Sequence, residues 1–348
     1  MTAEEYYSSY SYYGNLSHFF MGDDSVDWVA IDIFILAAVL GLLGNASIIV
    51  VILLNRELRR SQINALIIQL AIGDFLFLLS TVPIKIEHEI YPFWQFGTAA
   101  CKAYRFGETL AIGVCVYSIT AFSVGRFLGI VMKKGERNFT KVLIITEWLL
   151  AITVAAPIIF LVTLVDTPTR SHAYCQFYYE TTAARVYGVF WFSFLYVVPL
   201  GLIAYTNILV IIKLLQSTRK FSGEQVNRSL LKQFRIRRNR AAMFILITVF
   251  FAVFWMPYYA FRFWQFVGKD SAVGNQPLRV LGKLHYYAAI ANSCCNPFVM
   301  YMMSSKYRMA LCCRLPAHRM GVASGNSIRG SRAKTTRFSL SVRSKQPE

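Results

Sequence analysis

Residues 109–132 read TLAIGVCVYSITAFSVGRFLGIVM, and the only charged side chain among them is that of Arg126. About 20 apolar residues in a helix cross the roughly 30 Å hydrocarbon core of a lipid bilayer. Backbone N–H and C=O groups inside lipid must form hydrogen bonds with one another, and a helix forms all of them within a single segment. The stretch therefore predicts a membrane-spanning helix that carries an arginine near one end.

Six further stretches of the chain share this length and this scarcity of charge. The whole chain is 56% apolar and 16% charged, whereas soluble domains carry about 25% charged residues. A very apolar soluble core is the alternative, but helices of soluble proteins average about 10–14 residues. We therefore predict an all-α membrane protein, a bundle of seven transmembrane helices. The six further stretches are 33–54, 62–84, 142–165, 186–212, 241–261 and 284–305.

The distribution of basic residues predicts the orientation of the bundle. Residues 1–32 hold acidic side chains without lysine or arginine, whereas four segments on one side of the predicted bundle have an excess of both. Cytoplasmic segments carry such an excess, so we expect a plasma-membrane protein with its amino terminus outside. The net charge of +18 then reflects this topology and contact with anionic membrane lipid, and not nucleic-acid binding. The four basic segments are 55–61, 133–141, 213–240 and 306–348.

The predicted topology also sorts the sites of covalent modification. Asn15 begins an Asn-X-Ser sequon on the outer side, where it is a glycan acceptor. Cys101 and Cys175 both lie on the outer side, which is oxidising, and we expect a disulfide between them. Cys312 and Cys313 follow the last stretch on the inner side, where adjacent cysteines favour S-palmitoylation. Two unmodified thiols are the alternative for this pair.

Polar side chains within the stretches call for a function, because an ionisable group at the bilayer centre costs about 2.5–3.5 kcal/mol. Asp74 lies within the second stretch, at the end of the string LAIGD. With polar residues of the first and seventh stretches, it predicts a hydrated cluster able to hold a cation beside a carboxylate. Glu147 is expected only to face another helix. The predicted partners of Asp74 are Asn45, Asn292, Ser293 and Asn296.

The order and spacing of these residues resemble the rhodopsin-like (class A) G-protein-coupled receptors over residues 28–313. Asp74 matches the sodium-site aspartate of that family, and Arg126 matches its third-helix arginine. The third stretch and the late position of Tyr301 are similar to bombesin- and endothelin-type neuropeptide receptors. Further matching strings are GLLGN (41–45), WQFG (94–97), FAVFWMP (251–257), NSCCNPFVMY (292–301) and SSKYR (304–308).

The resemblance implies a division of the chain into four segments. These are an extracellular tail (1–28), a seven-helix receptor domain (29–303), a short amphipathic eighth helix (304–313) and a disordered cytoplasmic tail (314–348). Phosphorylation of the serines in the last segment would offer a patch for arrestin, and a solvated linker is the alternative. The resemblance implies no cofactor other than Na⁺ as an allosteric ion, and a receptor instead of an enzyme.

The resemblance also assigns a switch at the cytoplasmic end. Arg126 would face an inserted helix of a heterotrimeric G protein once the sixth helix swings outward, in a helix-in-groove contact. The prolines of the late stretches would provide the bends that allow this movement. The other switch residues that it implies are Phe251, Trp255, Asn296, Pro297 and Tyr301.

Five departures from the family pattern cluster on this signalling face, and two of them are Phe127 and Lys133. Gly125 stands where the family has an acidic residue before the arginine, so the usual resting ion pair is missing. Asn207 replaces a tyrosine, and Lys134 replaces an apolar side chain that enters the G protein. One hypothesis is elevated basal activity, because a restraint on the inactive state is lost. The competing hypothesis is weak coupling, as in scavenging receptors.

The outer half of the predicted bundle contains a candidate ligand site. Glu108 lies two helical turns after Cys101 and faces the centre, where amine receptors place an acid. Arg262 either pairs with Glu108, which leaves no free carboxylate for an amine, or meets a peptide carboxylate or C-terminal amide oxygen. The remaining charged and aromatic candidates are Lys85, Glu87, Arg105, Trp255, Tyr258, Lys283 and Tyr286.

The favoured hypothesis is a receptor that binds an extracellular peptide and activates a heterotrimeric G protein. A small-molecule or amine receptor that uses Glu108 is the alternative within the fold. A transporter or light-driven pump would show an internal repeat or a relay of intramembrane acids and bases, and the sequence has neither. Residues 284–305 contain no lysine for retinal, and no nucleophile–base or metal-ligand pattern indicates an enzyme.

Overall fold

The computed structural model describes residues 26–91, 93–132, 136–166, 173–177, 181–220, 228–267 and 276–312. Within these ranges the chain is almost entirely helical. Single helical turns at Arg56–Arg59 and Ile158–Leu161 follow the first and fourth long helices. The long helices are α1 (Trp28–Leu54), α2 (Gln62–Ile90), α3 (Gly97–Ile130), α4 (Glu136–Ala155), α5 (Thr182–Lys220), α6 (Arg228–Val267) and α7 (Gln276–Met303), and the short α8 is Ser305–Cys312.

The first six long helices are apolar enough over a sufficient length to cross a membrane. Helix α7 is 28 residues long and packs against α1, α2 and α6. Three buried polar residues, Asn292, Ser293 and Asn296, lie on this helix. Large apolar side chains such as Leu43 and Phe160 are exposed on the outside of the bundle, as a lipid-facing surface requires. The prediction of a seven-helix membrane bundle with a short eighth helix is therefore confirmed.

Helix α3 forms the centre of the bundle and contacts α2, α4 and α5. Small residues allow its neighbours to approach closely, as is common between membrane helices. A Cβ atom at Gly113 would lie 2.9 Å from the Ala151 Cβ and 3.0 Å from its Cα. A Cβ at Gly73 of α2 would lie 2.9 Å from the backbone nitrogen of Cys115. The backbone of α3 therefore lies in close contact with the backbones of α2 and α4.

Helix α5 contains a π-helical turn at Ser193–Val197, between the α-helical pieces Thr182–Phe192 and Val198–Lys220. This turn is bound to two other helices. The Tyr117 hydroxyl of α3 donates to the Phe194 carbonyl at 3.0 Å, and the Tyr196 hydroxyl donates to the Ala252 carbonyl of α6 at 3.1 Å. Proline interrupts α2, α6 and α7 at Pro83, Pro257 and Pro297, where bends are expected.

The two ends of the bundle are distinguished by their covalent and polar contacts. At one end, the predicted disulfide between Cys101 and Cys175 is present. It joins the start of α3 to an antiparallel hairpin of β1 (Val162–Asp166) and β2 (Ala173–Phe177). We call this the disulfide end. The opposite end, where α3 carries Arg126, is called the Arg126 end.

Helix α8 is fixed at the Arg126 end by two side chains. Arg308 Nη1 donates to the Tyr301 and Met302 carbonyls, at 2.8 and 2.6 Å, and so satisfies acceptors left open at the end of α7. The Tyr307 hydroxyl donates to Asn64 Oδ1 of α2 at 2.8 Å. These contacts hold α8 against both α7 and α2.

We predict that Gly113→Ala destabilises the protein by about 1–3 kcal/mol, because the added methyl group overpacks the α3–α4 contact. The matched control is Gly201→Ala in α5, where a Cβ would meet nothing within 4 Å and stability should not fall. Thermal denaturation of the purified protein in detergent measures both. Equal midpoints for the two variants would show that α3 and α4 are not packed this closely.

Candidate functional site

A buried carboxylate near the disulfide end gathers side chains from three helices. Glu108 lies on α3, two turns after the disulfide-bonded Cys101, and is 1% exposed. Its Oε2 accepts from Arg105 Nη1 at 3.2 Å and from Arg262 Nη2 at 3.4 Å. Its Oε1 accepts from the Tyr286 hydroxyl at 2.8 Å and from the Tyr258 hydroxyl at 3.3 Å. Arg105, Glu108, Tyr258, Arg262 and Tyr286 are called the Glu108 network below.

Further hydrogen bonds link the members of this network to one another. Arg262 Nη2 donates to the Tyr286 hydroxyl at 2.8 Å, and Arg262 Nη1 donates to Gln265 Oε1 at 3.3 Å. Arg105 Nη2 donates to the carbonyl of the disulfide-bonded Cys175 at 3.3 Å. The network therefore joins α3, α6 and α7, and Arg105 extends it to the hairpin.

The Glu108 carboxylate is fully occupied within this network. An ionised carboxylate offers about four acceptor sites, and four donors from Arg105, Arg262, Tyr258 and Tyr286 approach it. Buried charges are stable when they are paired and hydrogen-bonded in this way. Of the two arrangements expected for Arg262, the structure contains the internal pair with Glu108.

The remaining ligand candidates occupy different surroundings. Lys85 Nζ lies 3.5 Å from the centroid of the Tyr286 ring, a cation–π contact. Glu87, two residues further along α2, lies outside the network, and its buried Oε1 has no hydrogen-bond partner in the part of the chain that the structure describes. Lys283 is on α7, but its side chain lies outside the described part.

Trp255 lies beneath the network and connects it to the apolar core. Its ring is 5.3 Å from that of Tyr258, in an edge-on arrangement, and 5.2 Å from that of Phe77. Phe251, one turn earlier on α6, is 6.5 Å from Trp255. All four rings are buried, and they form one packed aromatic stack beneath the network.

A second polar cluster surrounds Asp74 in the middle of the bundle. Asn296 Nδ2 donates to Asp74 Oδ2 at 2.7 Å, and the Cys115 thiol donates to Oδ1 at 3.5 Å. Asn45 Nδ2 donates to the carbonyls of Gly41, at 2.9 Å, and Ser293, at 3.0 Å. Of the predicted partners, Asn296 of α7 therefore binds the carboxylate directly, and Asn45 of α1 binds the backbone of Ser293 on α7.

This cluster retains polar atoms that protein groups do not satisfy. Both amide atoms of Asn292, the Ser293 hydroxyl and Asn296 Oδ1 are buried without a hydrogen-bond partner in the described ranges. Buried polar atoms of this kind normally bind water or an ion. Hard cations prefer oxygen ligands, of which carboxylate, amide and hydroxyl oxygens are present here. The residues therefore fit the predicted Na⁺.

The structure also shows the surroundings of predicted switch residues at the Arg126 end. Arg126 is 3% exposed, and the adjacent Gly125 faces Leu66 of α2 and Leu143 of α4. The Tyr301 hydroxyl and Ser47 Oγ share a hydrogen bond of 2.9 Å.

Asn207 on α5 is nearly buried, and its Oδ1 has no hydrogen-bond partner among the described residues. Several predicted positions cannot be placed in the same way. Asn15, Lys134 and Cys313 lie outside the described residues, as does the side chain of Cys312.

Sequence reasoning missed two members of these clusters. Gln265 follows Arg262 by three residues, and Cys115 follows Glu108 by seven, so each shares a helix face with a predicted site residue. The helical spacing was therefore a usable signal in both cases. The contact between Arg105 and the Cys175 carbonyl could not be predicted from helical spacing, because Cys175 lies in the hairpin.

A membrane-spanning bundle of seven helices, with a charged network buried at one end and a buried arginine at the other, has the architecture of a transmembrane receptor. A family model described as "7 transmembrane receptor (rhodopsin family)" matches residues 44–300. The chain belongs to this family. It is a multi-pass membrane protein, as predicted. It is also a receptor and not an enzyme, which confirms the second prediction.

Individual relatives are similar over most of the chain. The neuropeptide CCHamide-1 receptor of Drosophila melanogaster is 30% identical over 292 residues, which are 79% of this chain and 58% of the relative. The endothelin receptor type B of Homo sapiens is 28% identical over 80% of this chain and 66% of the relative. A bombesin receptor of Bombina orientalis is 26% identical over 83% of this chain and 78% of the relative. The alignments thus leave a third or more of the first two relatives uncovered.

We predict that Glu108→Gln destabilises the receptor by about 3–5 kcal/mol, because it leaves buried guanidinium groups without their counter-charge. The thermal midpoint of the purified protein in detergent is the measurement. Lys102→Gln, on the same helix but outside the network, is the control and should leave the midpoint unchanged. A Glu108→Gln midpoint equal to that of the control would mean that Glu108 is not the acceptor for Arg105 and Arg262.

Proposed function

We propose that this chain is a G-protein-coupled receptor that binds an extracellular peptide near the Glu108 network and activates a heterotrimeric G protein at the Arg126 end. The single observation that carries the peptide assignment is the occupied Glu108 carboxylate, which is bordered by basic side chains. The names of the relatives support it, since they refer to a neuropeptide, endothelin and bombesin.

The proposed orientation places the disulfide end outside the cell and the Arg126 end in the cytoplasm of a plasma-membrane receptor. The excess of basic residues in the segments that follow α1, α3, α5 and α7 supports this orientation. In this orientation Asn15 is open to glycosylation, whereas Cys312 and Cys313 meet the inner leaflet and its anionic lipid. The tail 314–348 would bind arrestin after phosphorylation.

In the proposed mechanism, α6 has two arrangements, and the peptide binds one of them more tightly than the other. A peptide group that competes for Arg262 or Tyr286 loosens their hold on Glu108. Tyr258 and Trp255 then shift, and α6 bends at Pro257, where its backbone hydrogen bonding is interrupted. A ligand shifts such an equilibrium only by its difference in affinity for the two arrangements. The outward arrangement exposes Arg126 to an inserted G-protein helix.

Na⁺ is the proposed allosteric ion of the Asp74 cluster. Asp74, Asn292, Ser293 and Asn296 would hold it, and it would neutralise a carboxylate that is otherwise costly inside a membrane. Asp74 and Asn296 come from α2 and α7, so an ion held by both residues would favour the arrangement in which the two helices remain close.

The amine-receptor alternative needs a carboxylate that is open to a ligand cation. The four donors around Glu108 do not support that arrangement. Arg105 and Arg262 already hold Glu108, and Lys85 contacts the Tyr286 ring beside it, so the peptide proposal fits the observed contacts better.

The peptide proposal is tested with a panel of neuropeptides that includes CCHamide-, endothelin- and bombesin-type peptides. Cells that express the chain should respond to at least one peptide in calcium or cAMP assays. Arg126→Ala should abolish the response at unchanged surface expression, because the contact with the G protein is lost. A panel without any response in either assay, at verified surface expression, would contradict the proposal.

Elevated basal activity is proposed for the wild-type receptor, because Gly125 cannot form the resting ion pair with Arg126. A Cβ at Gly125 would meet Leu66 Cδ1 at 3.7 Å and Leu143 Cδ1 at 3.8 Å, which are ordinary contacts, so a short side chain has room to begin there. The competing proposal of weak, scavenger-like coupling rests on Lys134 and predicts no ligand-free signal.

We predict that Gly125→Asp lowers ligand-free signalling about fivefold, the equivalent of about 1 kcal/mol for a partly screened ion pair. Gly125→Ala fills the same space without charge and should keep the wild-type signal. Inositol phosphate and cAMP accumulation without ligand provide the measurement. Wild-type output equal to that of untransfected cells would rule out elevated basal activity and favour weak coupling.

A further inference from the structure

Glu147 is a buried carboxyl group that the proposed function does not use. It lies on α4, within the membrane-crossing segment Phe139–Leu161, and is 1% exposed. The neighbouring Trp148 donates from its indole nitrogen to Gln69 Oε1 of α2 at 2.9 Å, and this bond ties α4 to α2. Glu147 itself faces α3, where its Oε1 accepts from the Ser118 hydroxyl at 2.5 Å.

Close packing of α3 and α4 encloses this carboxyl group. Ala151 lies one turn after Glu147 and therefore on the same face of α4. A Cβ added to Gly113 of α3 would come within 3.0 Å of the Ala151 Cα, so the two backbones are in contact beside the carboxyl group. Ser118 is completely buried. Glu147 is therefore shielded from solvent by the two helices.

No cationic side chain pairs with Glu147 in the part of the chain that the structure describes. Both ion pairs found among the described residues belong to Glu108. Lys141 precedes Glu147 by six residues, about 9 Å along α4, and is exposed. Arg126 follows Ser118 by eight residues, about 12 Å along α3. Glu147 thus differs from Glu108, which binds two guanidinium groups.

The titratable groups that approach Glu147 from the neighbouring helices do not supply a positive charge. Helix α4 packs against α3 and α2. From α3, the Cys115 thiol interacts electrostatically with Glu147. Cys115 also donates to Asp74 of α2, which brings a second carboxyl group to this side of the bundle. A carboxylate nearby makes a second negative charge less favourable.

The hydrogen bonding of Glu147 also argues against an ionised carboxylate. An ionised carboxylate offers about four acceptor sites, whereas only one donor, the Ser118 hydroxyl, reaches Glu147 within the described ranges. Its Oε2 is buried and has no partner there. Two side chains also provide fewer oxygen ligands than a hard metal cation takes. A buried carboxyl group without a counter-charge binds a proton instead of remaining ionised.

We propose that Glu147 is a proton-binding site inside the bundle, and that the folded receptor holds this proton at neutral pH. In the neutral acid, Oε1 remains the acceptor for Ser118, and Oε2 becomes a hydroxyl group. The uncharged form allows α3 and α4 to pack closely around it, whereas an ionised form would draw water between them. The site does not depend on the proposed peptide function.

Infrared difference spectroscopy of the purified full-length receptor tests for the proton directly. The wild-type spectrum minus that of Glu147→Gln isolates the Glu147 band, because the other carboxyl groups cancel. At neutral pH the difference should contain the C=O stretching band of a protonated carboxyl group, and this band should move to lower frequency in D₂O. A carboxylate band in its place would overturn the proposal.

A variant of the donor assigns the band to the contact with α3. Ser118→Ala should move the C=O band to higher frequency, because the hydrogen bond to Oε1 is lost while the proton remains. Thr120→Ala is the control on the same helix and should leave the band in place, since the Thr120 hydroxyl donates to the Val116 carbonyl at 2.8 Å. An unshifted band in Ser118→Ala would overturn the assignment.

The thermal midpoint provides a second measurement, with the same substitution at two buried glutamates. Glu147→Gln should change the midpoint by less than about 2 °C, because glutamine has the shape of the neutral acid and accepts the same hydrogen bond. Glu108→Gln should lower it several times more, because it leaves guanidinium groups unpaired. An equally large fall in Glu147→Gln would indicate a paired carboxylate, and an equally large rise an unpaired one. Either result would overturn the proposal.

Discussion

The buried carboxylate of Glu108 is the constraint on which the disulfide end of this receptor depends. A carboxylate among lipid-spanning helices must be surrounded by donors, and these donors come from α3, α6 and α7. Arg105 adds the hairpin through the Cys175 carbonyl, which the disulfide holds next to α3. The same contacts therefore join the helices of the bundle and place basic groups at the proposed ligand site.

Buried rings, and helices that contain proline, connect the proposed ligand site to the proposed signalling end. Tyr258 contacts both the Glu108 carboxylate and Trp255, and Trp255 contacts Phe251 and Phe77. Below this stack, the Asp74 cluster links α2 to α7. A ligand that changes the Glu108 network therefore acts on helices whose other ends form the proposed G-protein surface.

The sequence predicted the number and type of helices well, because lipid makes charge-poor length an unambiguous signal. It predicted helix limits less well. Helix α3 begins at Gly97, ahead of the predicted stretch 109–132, and its additional turns contain the Arg105–Glu108 ion pair. Helix α7 begins at Gln276, ahead of the predicted stretch 284–305, and the buried polar residues Asn292, Ser293 and Asn296 lie within it.

The candidate sites were predictable to the extent that they depend on helical spacing. Asp74 and Asn296 were expected to meet, and they do so at 2.7 Å. Which donors would surround a given carboxylate depends on helix rotation, which no single sequence fixes. Glu147 illustrates this limit, since it was expected only to face another helix. In the structure it accepts a hydrogen bond from Ser118 of α3.

A double-mutant cycle between Glu108 and Arg262 tests the central claim most directly. The unfolding free energies of Glu108→Gln, Arg262→Gln and the double variant are compared with that of the wild type. Direct contact predicts a coupling energy of about 0.5–3 kcal/mol between the two positions. Single-variant effects that add to within about 0.3–0.5 kcal/mol would contradict the claim that this pair holds α3 to α6.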